Sequence, residues 1–463
     1  MIIQLGFKNF KTWEQFGPAR FAPLTVLFGS NSSGKSSVAQ FLLMLKQTVE
    51  SQDKKMVFNI GNTKTAVDLG NFYEMVFEHD EIRKVSVDLT WTLPTPLKLK
   101  DTYGRKDYAG DTVSFNAETG LTVSKSPVLG VDHMNYTLGN PETDGMAVGM
   151  KRTDRPKLPF ELTAKNYDFV RNPGRVWPIT APVKCYGFPD EVVNYFQNAD
   201  VVKALGFNFE KLFQNLFYLG PLRERFIRQY TWTGEAPEHV GWKGEQAIPA
   251  ILAARERKLN GGKKKKNRLF AEMIAHWLKQ MGLIEEFEVK QIAPKRREYE
   301  VLVKTRGAEK WVNITDVGFG ISQFLPVLVQ CFHAPPGSII IMEQPEIHLH
   351  PLAQAWLADL FIEVIHSWEN GAPRGIQLII ESHSEHFLRR LQRRIAEKLV
   401  TKEEVAAYFC EPVARGSRLV PLDVDLFGNI RNWPDKFFGD TMEDTVAMTD
   451  AQAQRMQAGE RPQ

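Results

Sequence analysis

Cysteine is scarce in this chain: three residues, Cys185, Cys331 and Cys410, in 463. They are odd in number and far apart, which excludes a disulfide framework and fits a reducing compartment. Neither sign of charge is in excess. A formal net charge of +3 excludes a global polycation, so any nucleic-acid contact must be local. No apolar run reaches membrane-spanning length. Met1-Ile2-Ile3-Gln4-Leu5 runs straight into a strand pattern without a signal-peptide layout, so the expected location is the cytoplasm, with no membrane partner. Fixed-period repeats and heptads are missing as well, which excludes a long coiled-coil arm. The length suits two or three domains, or one core with a large insertion.

What is present is concentrated early. Gly29-Ser30-Asn31-Ser32-Ser33-Gly34-Lys35-Ser36 has the G-x-x-x-x-G-K-[ST] spacing of a phosphate-binding loop. Glycines let backbone N–H groups turn inward, Lys35 reaches β/γ oxygens, and the Ser36 hydroxyl ligates Mg²⁺. Leu24-Thr25-Val26-Leu27-Phe28 precedes the loop as a buried-strand run. Ser37 to Gln47 follows with Val38, Phe41, Leu42 and Leu45 at helical spacing. Strand, loop and helix together aim a helix N-terminus at an anion. The nucleotide-contact candidates are Gly29, Asn31, Ser32, Ser33, Gly34, Lys35, Ser36 and Ser37.

Residues 1–28 read as two strands about a turn at Phe16-Gly17-Pro18-Ala19, the second strand feeding the loop. Val85, Val87, Leu89 and Trp91 alternate as a half-buried strand. From about 95 to 210, short alternating runs are punctuated by Pro, Gly, Asp and Asn, the pattern of an inserted β-rich segment. Two basic sites follow, Lys263 to Lys266 beside Gly261-Gly262 and the turn Pro294-Lys295-Arg296-Arg297. Each reads by default as a solvated loop, with a phosphate-backbone contact as the sharper alternative.

Ser338-Ile339-Ile340-Ile341-Met342-Glu343 is a strand buried on both faces that ends in a carboxylate, the Walker B pattern. Upstream, Asp316-Val317-Gly318-Phe319-Gly320-Ile321-Ser322-Gln323 is a glycine turn opening an apolar helix. Downstream, Gln377-Leu378-Ile379-Ile380 is another short buried strand, followed by Glu381-Ser382-His383-Ser384. A histidine there can reach a γ-phosphate or a water.

This order of parts resembles the ABC-class ATPases, in the soluble branch with RecF, SMC-type and overcoming-lysogenization-defect proteins. The phrases GFGISQFLP, EQPEIHLHP and ESHSEHFLRRLQRRI carry the likeness, as does the tail from Leu422 to Phe438. They are similar to ATPases of bacterial anti-phage defence operons, the family that includes the ATPase subunit of PARIS. The likeness covers about residues 1–80 and 215–440. It implies an α/β fold: an ABC-type P-loop head (1–95 and 206–410) with a β-rich insertion (96–205), a short C-terminal α/β cap (411–463) and no long coiled coil.

By the same likeness the cofactors are ATP and Mg²⁺. Ser36, Glu343 and Asn71 are the metal candidates, Asn71 from the Q-loop position. Gly318, Gly320 and Ser322 form the signature that meets a partner subunit's nucleotide. Glu343, Gln344, Glu346 and His383 are the catalytic candidates, and His348 and His350 lie in the D-loop region. Implied partners are a second copy, in a homodimer or higher homo-oligomer closed over ATP, and a separate effector, a Toprim or other nuclease. The trigger would be DNA or a phage protein.

Two departures stand out. Glu343-Gln344 replaces the usual Asp-Glu pair, and glutamine can orient a water but cannot take its proton. The signature also departs from Leu-Ser-Gly-Gly-Gln. The expected function is therefore a slowly hydrolysing ATP switch in defence. The alternative is a RecF-like DNA-binding repair ATPase using the basic loop and Arg389, Arg390, Arg393 and Arg394. Asp423-x-Asp425 reads as a solvent-end strand, not a nuclease metal pair, since too little chain follows for a Toprim fold.

Overall fold

The computed structural model describes residues 1–101, 106–122, 126–139, 145–174, 177–263, 265–434, 437 and 441–457. The chain opens with strands β1 (Ile2–Phe10), β2 (Trp13–Arg20) and β3 (Leu24–Gly29), then helix α1 (Lys35–Glu50). Five strands follow: β4 (Val85–Asp101), β5 (Lys106–Leu121), β6 (Leu129–Leu138), β7 (Met146–Arg152) and β8 (Phe160–Lys165). Next come α2 (Asp200–Gln214), β9 (Leu216–Leu219), α3 (Phe270–Gln280), and the hairpin β10 (Glu286–Gln291) and β11 (Glu298–Lys304). The last third holds α4 (Phe319–His333), β12 (Ile339–Glu343), α5 (Pro351–Ile365) and β13 (Gln377–Glu381). It ends with α6 (Glu385–Ala396), β14 (Val405–Pro412), β15 (Ser417–Pro421) and α7 (Thr441–Gln457).

Two large sheets organise these elements. One has the order β15-β14-β3-β13-β12-β9, parallel except for β15. Its strands are apolar on both faces, which explains why they read as continuous runs. Leu24, Val26, Phe28, Ile340, Met342, Leu378 and Ile380 face one core, with Phe324 of α4, Phe361 of α5 and Phe387 of α6. Leu27, Ile339, Ile341 and Ile379 face the other, with Phe41 of α1 and Phe209 of α2. The second sheet is antiparallel, in the order β2-β1-β4-β5-β6-β7-β8, and shares that second core through Trp91 and Phe115. The Gln377 side chain joins the sheets, accepting from Ile2 N at 2.9 Å and donating to Ile2 O at 2.7 Å.

The N-terminal expectation needs one correction. The first turn lies at Lys11-Thr12, Phe16 to Ala19 lie within β2, and β3, a third strand, leads into the phosphate loop. Phe7 stacks on Phe16 with ring centroids 4.7 Å apart, and the two residues are paired in register. As an edge strand, β2 accommodates Pro18 without breaking an interior ladder.

The antiparallel sheet is thus continuous from the N-terminus into the β-rich segment. The unit borders at 95/96 and 410/411 fall inside β4 and β14, so units divided there share sheets and are not joined by linkers. Among the described residues no helix exceeds 17 residues, and none is long and apolar enough to cross a membrane. The fold is mixed α/β, and among the described residues there is no long coiled coil. Lys264 of the basic loop and Asp435, Lys436 and Phe438 of the tail lie outside the described residues.

Candidate functional site

The phosphate loop connects the C-terminal end of β3 to the N-terminus of α1, with Gly34 as the N-cap in left-handed conformation (φ 85). An added Cβ at Gly34 would lie 2.6 Å from Thr12 Oγ1, 2.7 Å from Trp13 Nε1 and 2.8 Å from Ser417 Oγ. Trp13 Nε1 donates to Gly34 O at 2.9 Å, so the β1–β2 turn braces the loop from outside. Gly34→Ala combines a left-handed alanine with this crowding. We expect it to cost about 1–3 kcal/mol of stability and to impair nucleotide binding, checked by thermal melting and calorimetry. Unchanged melting and affinity would contradict the described loop.

Lys35 is buried. Its ammonium donates to Ser30 O (2.6 Å), Gly29 O (3.1 Å) and Ser33 Oγ (3.3 Å). Ser36 Oγ donates to Glu381 Oε2 at 2.8 Å. Parallel registers align Glu343 with Glu381 and Glu381 with Leu27, so two strand-end carboxylates sit beside the loop. Glu343 accepts from the Tyr218 hydroxyl at 2.9 Å. Burial and then the neighbouring Glu381 push the Glu343 carboxyl up to about 7. Burial also raises Glu381, opposed by the Ser36 hydrogen bond and the Lys35 charge. Lys35 is lowered by burial against the pull of these carboxylates, and His383 is lowered by burial and then by Lys35.

The turn after β12 carries the next two candidates. Gln344 is left-handed (φ 46) and donates its backbone N–H to Glu381 O at 2.9 Å. Glu346 is buried, and its Oε1 accepts from His383 N (2.6 Å) and Ser382 Oγ (2.9 Å). The carboxylate therefore holds the His383 segment in place. His350 caps α5, accepting from Leu352 N at 3.3 Å.

The signature glycines open α4, with Gly318 as its N-cap. A Cβ on Gly320 would come 3.2 Å from His348 O, so this turn abuts the D-loop region of its own chain. Asn71 has a different job. It caps the short helix Phe72–Met75, its side chain accepting from Glu74 N and its own N–H donating to Glu74 Oε2, a reciprocal capping box. Among the described residues its side-chain hydrogen bonding is local, to Glu74 N, and not to Glu343 or Glu381.

Three residues that sequence reasoning did not single out complete the site: Glu381, Tyr218 and Arg223. Glu381 had a signal, since β13 is a buried run ending in a carboxylate just as β12 is.

Two stretches of the chain match known families. Residues 212–389 match the family described as "AAA domain, putative AbiEii toxin, Type IV TA system". Residues 400–448 match a family described as "Protein of unknown function (DUF3696)". No curated protein matches the chain by sequence. Among solved structures, the SMC head domain from Thermotoga maritima is similar at 10% identity and a TM-score of 0.40, over 91% of this chain and 99% of that one. The Smc head domain with an extended coiled coil bound to the C-terminal domain of ScpA, from Pyrococcus furiosus, is similar at 9% identity and a TM-score of 0.41. That match covers 97% of this chain and 98% of that one. The matched AAA model, together with the phosphate-loop motif and the strand-end carboxylates, supports an ATPase domain.

Proposed function

We propose that the chain is an ATP-binding, slowly hydrolysing molecular switch that gates a separate effector in bacterial anti-phage defence. The observation that carries the nucleotide part is the convergence of Lys35 and Ser36, at the start of α1, with Glu343 and Glu381, at the ends of β12 and β13. The donor set, a hydroxyl and two buried carboxylates whose mutual repulsion a cation would relieve, fits Mg²⁺. Ser36, Glu343 and Glu381 would hold it, and when bound it neutralises charge on the β/γ oxygens.

The chain's own residues supply the rest. The N–H groups of Asn31, Ser32, Ser33, Gly34, Lys35, Ser36 and Ser37 cradle phosphate, with Gly29 letting the loop turn close to Cys410 O. Lys35 exchanges its loop carbonyls for β/γ oxygens. His383, held neutral by burial and Lys35, hydrogen-bonds the terminal phosphate. Gln344 orients water without taking its proton. Gln344→Glu should therefore raise turnover about tenfold or more, measured as phosphate release, because general-base catalysis contributes about 10²–10⁴-fold. No acceleration would place the base elsewhere, with His383 the next group to test.

Gly318, Gly320 and Ser322 of one copy would meet ATP held by another, which makes self-association depend on nucleotide. The toxin–antitoxin description of the matched family accords with a gated effector, here a Toprim or other nuclease on a separate chain. DNA or a phage protein would be the trigger. The RecF-like reading has less support. Arg389 pairs with Glu385, Arg390 and Arg394 with Asp359, and Arg393 with Glu397, so three carboxylates offset most of the charge of the four arginines. Lys265 of the basic loop pairs with Glu363. Co-purification with the product of the adjacent gene, with and without ATP, tests the switch. Full biological activity from this chain alone would contradict it.

A further inference from the structure

Arg223 lies just beyond β9, the strand beside β12. Its guanidinium is buried and takes backbone carbonyls from two separate motifs. Nη1 donates to Gln323 O of α4 at 3.1 Å. Nη2 donates to Glu343 O at 3.0 Å and Gln344 O at 3.4 Å. Gln323 Nε2 returns a bond to Arg223 O at 3.5 Å. Burying a guanidinium is costly unless its donors are satisfied, and these carbonyls tie the end of β12 to α4. Arg374, also buried, donates to the carbonyls of Cys331, Phe332 and Ala334 at the C-terminal end of α4 and to Ser367 Oγ at 3.3 Å, and it pairs with Glu369 at 3.5 Å; none of these partners belongs to β12 or to the His383 segment.

Arg223 faces a counter-charge as well. Its Nε and Glu346 Oε2 are both buried without a hydrogen-bond partner among the described residues, and each feels the other's charge. The second Glu346 oxygen holds His383 N and Ser382 Oγ. One guanidinium and one carboxylate thus stand between the end of β12, the signature helix α4 and the His383 segment.

We propose that Arg223 is a positioning residue that couples the nucleotide end of β12 to the signature helix, with Glu346 extending the coupling to the His383 segment. This rests on the nucleotide-site reading above and adds the path from that site to the dimer face. Displacement of Glu343 and Gln344 as nucleotide binds moves two of the three carbonyls that the fork holds. The planar fork passes that displacement to Gln323 and so to the start of α4. Lysine donates from one nitrogen and cannot span the carbonyls that Nη1 and Nη2 reach separately.

The test uses full-length protein and four readouts: ATP affinity, ATP-driven self-association, turnover and melting temperature. Arg223→Lys should keep the ATP Kd within about threefold while self-association and kcat fall about tenfold or more. Adding Glu346→Gln to Arg223→Lys should cost less than the two single effects combined. Arg374→Lys, the structural control, should lower the melting temperature without separating affinity from turnover. Should Arg223→Lys not fold, Glu346→Gln alone must show the same separation. Loss of Kd and kcat in equal proportion, or of neither, would overturn the coupling role alone. Absence of ATP binding by the wild-type chain would overturn both this role and the nucleotide-site reading.

Discussion

Lys35→Ala is expected to abolish measurable ATP binding. The ammonium is the cation that the loop itself supplies, held over its centre by Gly29 O, Ser30 O and Ser33 Oγ. Those are ready-made exchange partners, because each lies where the loop curls around an anion. Charge-assisted hydrogen bonds contribute about 1.5–3 kcal/mol each, so losing two weakens binding by about 10²–10⁴-fold. The fold should survive. Lys35 is lowered by burial, so its removal relieves a desolvation cost as it removes three contacts. Calorimetry on the variant, with a melting curve as control, reads this directly. Affinity equal to wild type would show that phosphate binds elsewhere.

Glu381→Gln is expected to stabilise the nucleotide-free protein while it weakens Mg²⁺-dependent ATP binding. Two buried carboxylates face one another at the ends of β12 and β13, and the Glu343 carboxyl is raised to about 7. A carboxyl raised on folding costs nothing at pH below its unfolded value near 4.5. The cost grows as pH rises through the interval from 4.5 to 7 and is full above it. For Glu343 that is roughly 3 kcal/mol. Glutamine at 381 removes one of the two charges and still accepts from Ser36 Oγ. The melting temperature at neutral pH should rise by a few degrees, and the gain should vanish below about pH 5. Mg²⁺-dependent ATP affinity should fall about tenfold or more, because a charged metal ligand is lost. A variant less stable at neutral pH, with unchanged magnesium dependence, would contradict the paired-carboxylate description.

Local motifs were legible in the sequence because their chemistry is local. The phosphate loop from Gly29 to Ser36 and the run ending at Glu343 each need only neighbouring residues to form. Glu381 enters the site through a strand register, Glu343 opposite Glu381, which a single segment does not encode. Arg223 is hidden more deeply, since its carbonyl partners lie 100, 120 and 121 residues downstream. Gly17-Pro18 read as a turn because those residue types favour turns. The pairing of Phe7 with Phe16 and the edge position of β2 place them in a strand. Asn71 shows a local signal that was passed over. Asn71-x-x-Glu74 carries a capping-box pattern readable in the sequence, while its Q-loop assignment rested on position in the chain alone. The alternation expected from 95 to 210 matches strands only as far as Lys165; the same stretch then carries the helices Asp190–Tyr195 and α2. That the strands extend the sheet begun by β1 follows from the long-range pairing of β1 with β4, which alternation cannot report.

The most direct test of the central claim is the position of a divalent cation in crystals grown with Mn²⁺ and a non-hydrolysable ATP analogue. The account predicts one anomalous peak per chain, bonded to the Ser36 hydroxyl and to the carboxylate of Glu343 or Glu381, with Lys35 on the β/γ oxygens. A nucleotide bound away from Lys35, or a cation held by neither Glu343 nor Glu381, would contradict it.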